Sequence, residues 1–158
     1  MKNQKNSIGL NQEKTKHLVG KLNDLLSNYQ VFYQNLRGFH WNIKGDSFFE
    51  LHAKFEELYI AANESVDEIA ERILTLEGKP LHSFTDYLNQ ASIAPAKDVS
   101  GASETVEITI SNLSTLIGLE REILSIADEV NDEGTNALMS DYIRVQEKTI
   151  WMLKAYNA

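Results

Sequence analysis

The residues best suited to metal chemistry fall in two groups. The stretch "GFHWNIKGDSFFELH", Gly38 to His52, carries two of the chain's four histidines, His40 and His52, with Trp41 directly after the first. Glu56 follows, and then "DEIAE", whose Asp67 and Glu71 lie fifteen and nineteen residues beyond His52. Imidazole and carboxylate together suit iron-type cations. The chain has no cysteine, which excludes disulfides, zinc–thiolate sites and thiol nucleophiles. It also lacks G-x-S-x-G, P-loop and G-x-G-x-x-G signatures, so acyl transfer at a nucleophile elbow and the common nucleotide folds have no foothold.

The spacing constrains how these groups can meet. His52 and Glu56 are an i, i+4 pair, as are Asp67 and Glu71, and each pair shares one helix face. Eleven residues from Glu56 to Asp67 return to within about 20° of the same direction at 100° per residue. All four side chains therefore line one stripe of one helix. Along that helix, however, His52 and Asp67 stand about 22 Å apart at 1.5 Å per residue, whereas metal–ligand bonds are about 2 Å. Either these are two unrelated half-sites, or two copies of the chain meet with antiparallel helices. A two-fold contact of the second kind would create two equivalent sites. A di-iron centre within one subunit would need E-x-x-H motifs on two helices, and no E-x-x-H occurs.

The elements that must position these residues are helical. The only prolines, Pro80 and Pro95, sit mid-chain between long helix-favouring stretches. A first helix is predicted over about Asn11–Phe39, with Leu18, Leu22, Leu25, Leu26, Tyr29, Phe32 and Leu36 as its apolar stripe. Ser47 and Glu50 match a capping box opening a second helix that runs to about Leu76, where Gly78 and Pro80 stop it. Residues 79–99 form a long connection with a short helix near Ser83–Asn89. A third helix is predicted over about Ser103–Val130 and a fourth over about Thr135–Tyr156, separated by "NDEGT". The fold class is thus all-α: a ferritin-like four-helix bundle with a long crossover between helices 2 and 3. Residues 1–10 are expected as a flexible tail and 11–158 as one domain.

Composition narrows the class further. With 158 residues and 42% hydrophobic content, one cored domain is expected. No apolar run reaches the roughly 18–20 residues of a membrane span, and the N-terminus has no signal-like apolar segment. The expectation is no membrane association and a cytoplasmic location. The net charge of −8 opposes simple nucleic-acid binding and favours attraction of cations.

The stretches "FHWNIKG", "FFELHAKFEELY", "DEIAERI", "EGKPL" and "EKTIWML" together resemble the Dps family, the miniferritins known as DNA-binding proteins from starved cells. The resemblance covers about residues 12–156. It implies a hollow shell of twelve subunits that oxidises Fe(II), preferably with hydrogen peroxide, and stores the Fe(III) mineral. It implies two irons per ferroxidase centre, with His40 and His52 from one chain and Asp67 and Glu71 from its two-fold partner. Glu56 matches a position associated with the second iron, and Trp41 a tryptophan beside the centre. Among the acids of "ADEVNDEGT", which also include Glu129, the resemblance makes Asp128, Asp132 and Glu133 candidate pore residues at three-fold axes. Two alternatives stand beside this reading. One is a DNA-compacting, nucleoid-associated protein using Lys2, Lys5, Lys14 and Lys16, which is possible in chemistry but not favoured by the acidic body. The other is a structural shell without redox activity.

Overall fold

The computed structural model describes residues 4–158. Its helices are α1 (Gln12–Asn42), α2 (Phe48–Thr75), α3 (Phe84–Gln90), α4 (Ala102–Glu129) and α5 (Glu133–Tyr156). Four long helices make the bundle, and the short α3 lies in the crossover between α2 and α4, as expected. Among the described residues no strand forms, only an isolated bridge between Lys5 and Asn11.

α1 packs most extensively against α2, and α4 against α5, while α1 also meets α4 across the bundle. The core is built from the predicted stripes. Leu18, Leu22, Leu25 and Leu36 of α1 are fully buried with Phe55, Ile69 and Ile73 of α2 and Leu116 of α4. Burying each such side chain contributes about 1.5–3 kcal/mol relative to exposure. This apolar seam holds α1 and α2 side by side and so positions His40 near His52.

Three asparagines of α1 fasten the crossover. Asn23 accepts from Leu81 N (2.8 Å) and donates to Lys79 O (3.1 Å). Buried Asn28 accepts from Ser92 N and Ile93 N at 3.0 and 2.9 Å. Asn35 accepts from Ala96 N (2.8 Å) and donates to Ala94 O (3.1 Å). A loop laid over a bundle has no ladder to satisfy its amides, and these side chains supply the missing partners.

Two details differ from the sequence expectation. Ser47 makes no capping bond to the start of α2. Its backbone, at φ −95° and ψ 17°, is not in the extended conformation that turns a cap hydroxyl toward the N2 or N3 amides. The turn is made instead by Gly45 at φ +108°, whose carbonyl accepts from Phe48 N at 3.1 Å. The N-terminal segment also differs. Within the expected flexible tail, residues 4–10 fold back on the body: Gln12 N donates to Gln4 O (2.9 Å), Asn6 is buried, and Ser7 N donates to Glu77 Oε1 (2.8 Å). Residues 1–3, including Lys2, lie outside the described residues.

At the end of α2, Glu77 rather than Gly78 takes the left-handed conformation, with φ +63°. Gly78 N donates to Ile73 O at 2.9 Å, closing the helix. The glycine is required by proximity: a Cβ there would stand 2.6 Å from Val19 Cγ1 on α1. Gly78→Ala should therefore destabilise the fold by about 1–3 kcal/mol through overpacking, read as a lowered urea midpoint. Gly78→Ala with Val19→Ala should recover part of the loss.

Candidate metal centre

His40 closes α1 and His52 lies in the first turns of α2, so the hairpin between them sets their approach. The two imidazoles stack with centroids 3.8 Å apart and planes 13° from parallel. Each is oriented by the other's backbone. His40 Nδ1 is 2.7 Å from His52 O, and His52 Nδ1 is 2.7 Å from His40 O. A carbonyl only accepts, so both Nδ1 atoms carry the proton in this arrangement. In the neutral ring that leaves a lone pair on each Nε2, and neither Nε2 has a partner among the described residues. Holding one ring nitrogen by a carbonyl and freeing the other is how metal-binding imidazoles are oriented.

Aromatic groups frame the pair. The Phe48 ring stacks on His52 at 5.0 Å, and Tyr59 meets His40 edge-on at 5.3 Å. Arg37 lies over the Tyr33, Tyr59 and Trp41 rings at 5.6, 5.0 and 5.0 Å, and it donates to the Tyr33 hydroxyl at 2.7 Å. That hydroxyl, foremost among its surroundings, raises the guanidinium pKa above its ordinary value. Trp41 itself is 58% exposed on the single chain.

The acids stand apart from the histidines. Glu56, Asp67 and Glu71 are exposed on α2, and none makes a side-chain hydrogen bond or ion pair among the described residues. Glu68 beside them is pushed above the ordinary carboxylate range by burial, and further by Glu64, Asp141, Asp67 and Glu71. No group of three or more histidines or acids among the described residues of one chain comes close enough to hold a metal ion. The structure thus joins His40 with His52 and leaves Asp67 and Glu71 as a separate set, with Glu56 toward the histidine end.

The candidate pore acids divide as well. Asp128, Glu129 and Glu133 are exposed at the α4–α5 turn, whereas Asp132 is buried. Asp132 caps α5 by accepting from Thr135 N (3.1 Å), and Arg72 Nη2 of α2 donates to its Oδ1 at 2.6 Å. Its carboxylate is already engaged, unlike that of a free pore ligand. Asp132 holds the turn on which Asp128 and Glu133 stand.

A family model for the ferritin-like domain matches residues 19–158. The "DNA protection during starvation protein" of Porphyromonas gingivalis is 40% identical over 148 residues, covering 94% of this chain and 93% of that one. This chain belongs to the Dps family. A crystal structure of the Dps protein from Vibrio cholerae O1, described as a member of a broad superfamily of ferritin-like diiron-carboxylate proteins, superposes with a TM-score of 0.96. It shares 51% identity and covers 98% of this chain and 97% of that one. The Dps protein of Bacillus brevis follows the same fold with a TM-score of 0.90 and 35% identity over 92% of this chain and 98% of its own.

One polar cluster of this Dps-family chain is absent from the sequence expectation. Glu120 of α4 is fully buried. Its Oε1 accepts from the Tyr29 hydroxyl and from Gln146 Nε2, each at 2.9 Å. A signal for it exists: Glu120 sits four residues after Leu116 and three before Ile123, so it lies on the apolar stripe of α4. Burial pushes its carboxyl up to about 8 from an ordinary 4.5, against the bonds from Gln146 and Tyr29 that lower it. Burial likewise raises the Tyr29 and Tyr142 hydroxyls.

The native chain keeps this proton where the unfolded chain has lost it, so Glu120 destabilises the fold progressively as pH rises from about 4.5 through 8 and no further above that. At about 1.4 kcal/mol per unit the upper bound is several kcal/mol. Glu120→Gln should match the natural chain in urea stability near pH 4.5 and exceed it by a few kcal/mol near pH 8.

Proposed function

We propose that this chain is an iron-storing ferroxidase whose centres are completed only when two subunits pair. The observation that carries the reading is the locked imidazole pair. Two rings hold their protons on Nδ1 against backbone carbonyls and present unpartnered Nε2 atoms, while Asp67, the nearer of the two carboxylates that would complete the centre with them, lies about 22 Å along the same rigid helix. In a two-fold, antiparallel contact of α2 helices, His40 and His52 of one subunit face Asp67 and Glu71 of the other. Glu56 then serves the second iron, and Trp41 packs at the contact.

The residue types suit the reaction. Imidazole and carboxylate both bind Fe(II), and the carboxylates favour the more highly charged Fe(III) product. Two Fe(II) ions each give one electron to hydrogen peroxide, its O–O bond breaks, and two protons complete two waters. Pairing the electrons in this way avoids release of a hydroxyl radical. The preference for peroxide rests on the family resemblance, as does assembly into a dodecameric shell that holds the mineral. The exposed Asp128 and Glu133 are the pore acids of this reading; their negative field would concentrate Fe(II) at the entrance.

Subunit mixing tests the shared centre. His40→Ala/His52→Ala shells and Asp67→Asn/Glu71→Gln shells should each lose rapid Fe(II) oxidation in stopped-flow measurements. Dissociated and reassembled in equal amounts, the two should recover roughly one quarter of the natural rate, because half the pairs are mixed and each mixed pair carries one intact centre. No recovery in properly reassembled shells would place the centre within one chain. Separately, Asp128→Asn/Glu133→Gln should slow iron uptake at low ionic strength about tenfold or more, with the effect fading in high salt. Unchanged uptake removes the pore assignment.

A further inference from the structure

α2 carries His52 at one end of a stripe and Asp67 and Glu71 at the other, and one side chain in the middle turns breaks the polar surface between them. Ile60 is 49% exposed on the single chain, and among the described residues it is the one large exposed apolar side chain of α2 between His52 and Glu71. It belongs to the same stripe. Ile60 follows Glu56 by four residues, about 40° round the helix, and precedes Asp67 by seven, about 20°. Glu56 and Glu64, four residues to either side of it, are both exposed carboxylates. A single exposed isoleucine is ordinary on a protein surface; the height of this one along the helix is not.

Asp67 and Glu71 are centred at residue 69, and the point midway between that centre and His52 falls between residues 60 and 61. Ile60 stands within about 1 Å of it at 1.5 Å per residue. A two-fold axis that brings His52 of each subunit to the Asp67–Glu71 pair of the other must cross the helix pair at that midpoint. Symmetry sets every residue as far beyond the axis on one copy as before it on the other. A residue at the axis therefore faces itself, and a side chain that faces itself cannot be charged without repulsion. The stripe has its apolar residue at that height, with carboxylates one turn away on both sides.

We propose that Ile60 sits on the two-fold axis of the paired subunits, packs against its own copy, and sets the register in which two α2 helices bring the halves of the shared centre together. The partner is a second copy of this chain. The inference rests on the shared-centre reading above and adds to it the line about which the subunits turn. Register matters at this precision: sliding one helix by a single residue moves His52 about 1.5 Å against the partner's acids, most of a metal–ligand bond of about 2 Å. A β-branched side chain is stiff at χ1 in a helix, so a pair of isoleucines makes a firm stop. A slide of a full turn would set Ile60 against the partner's Glu56 or Glu64, burying a carboxylate on an apolar surface, which is unfavourable. The correct register is thus held by attraction at the axis and by repulsion one turn to either side.

The chain contains no cysteine, so one introduced thiol reads the axis directly. Packed helix axes stand about 8–10 Å apart and Cα atoms about 2.3 Å off each axis, so facing Cα atoms come within the roughly 4.4–6.8 Å that a disulfide spans. Ile60→Cys in the assembled protein should form a disulfide between subunits under mild oxidation, seen as a reducible two-chain band in denaturing electrophoresis with the assembled mass unchanged by light scattering. Asn63→Cys should not, because symmetry doubles its offset to about 8 Å along the helix, beyond a disulfide's reach. Ile60→Asp, which sets like charges against each other, should weaken pairing about tenfold or more in sedimentation at low protein concentration. Ile60 is half exposed, so the fold of one subunit does not depend on it. A disulfide at position 63 without one at 60, disulfides at both or at neither, or undiminished pairing of Ile60→Asp overturns the proposal. Subunit mixing separates the two readings: recovery there without a disulfide at position 60 leaves the shared centre standing and removes this axis, whereas no recovery removes both.

Discussion

Two hydrogen bonds of 2.7 Å tie the end of α1 to the start of α2, each running from one histidine's Nδ1 to the other's carbonyl. The bonds do two things at once. They satisfy backbone carbonyls near a helix junction, and they fix which ring nitrogen is free. An imidazole turned by a solvent bond would flip and exchange tautomers; one clamped by a partner's backbone cannot do so without opening the hairpin. The stacked rings, the Phe48 and Tyr59 contacts and the Leu-rich seam behind them all hold this geometry. The orientation of the two imidazoles is therefore a property of the hairpin's backbone as much as of its side chains.

The second constraint is rigidity. α2 runs 28 residues without a kink-forming proline or an internal glycine. A straight helix of that length keeps its first-turn histidine and its later carboxylates apart whatever the side chains do. Under the proposed function a partner subunit must therefore supply the second set of ligands, and the spacing along one helix is what requires it. The crossover, pinned by Asn23, Asn28 and Asn35, lets α4 begin again at the far end without disturbing α2.

Much of this was legible in the sequence, for reasons that can be named. The four long helices follow from 3.6-residue periodicity in Leu18–Leu36, Phe55–Ile73, Val106–Ile123 and Met139–Leu153, and that signal is strong because burial enforces it. Their ends are set by local turn chemistry, where composition misleads: Ser47 has the right side chain but the wrong backbone, and the left-handed residue at the end of α2 is Glu77, one position before the glycine. The pairing of His40 with His52 was suggested by motif, but the reciprocal Nδ1–carbonyl bonds carry no sequence signature, since a carbonyl belongs to every residue. Glu120 left a mark, a charge on an apolar stripe, whose meaning appears only once Tyr29 and Gln146 are seen around it. The asparagines of α1 left none, being ordinary polar residues on a helix until the crossover lies against them. Folding of residues 4–10 against Glu77 was hidden for the same reason, because its partner lies about seventy residues away.

The pair between Arg72 and Asp132 links the last turns of α2 to the turn before α5, and Gly134 lets the guanidinium lie flat there, where a Cβ would stand 2.8 Å from its nitrogens. Arg72 is the residue next to Glu71. The bridge therefore acts as a gauge block: it fixes the separation between the acids of the α4–α5 turn and the carboxylates of α2 in every subunit. Any drift of the fold that moves one set must carry the other, so the separation of the two acid groups is inherited as a single measurement and cannot be tuned at either end alone.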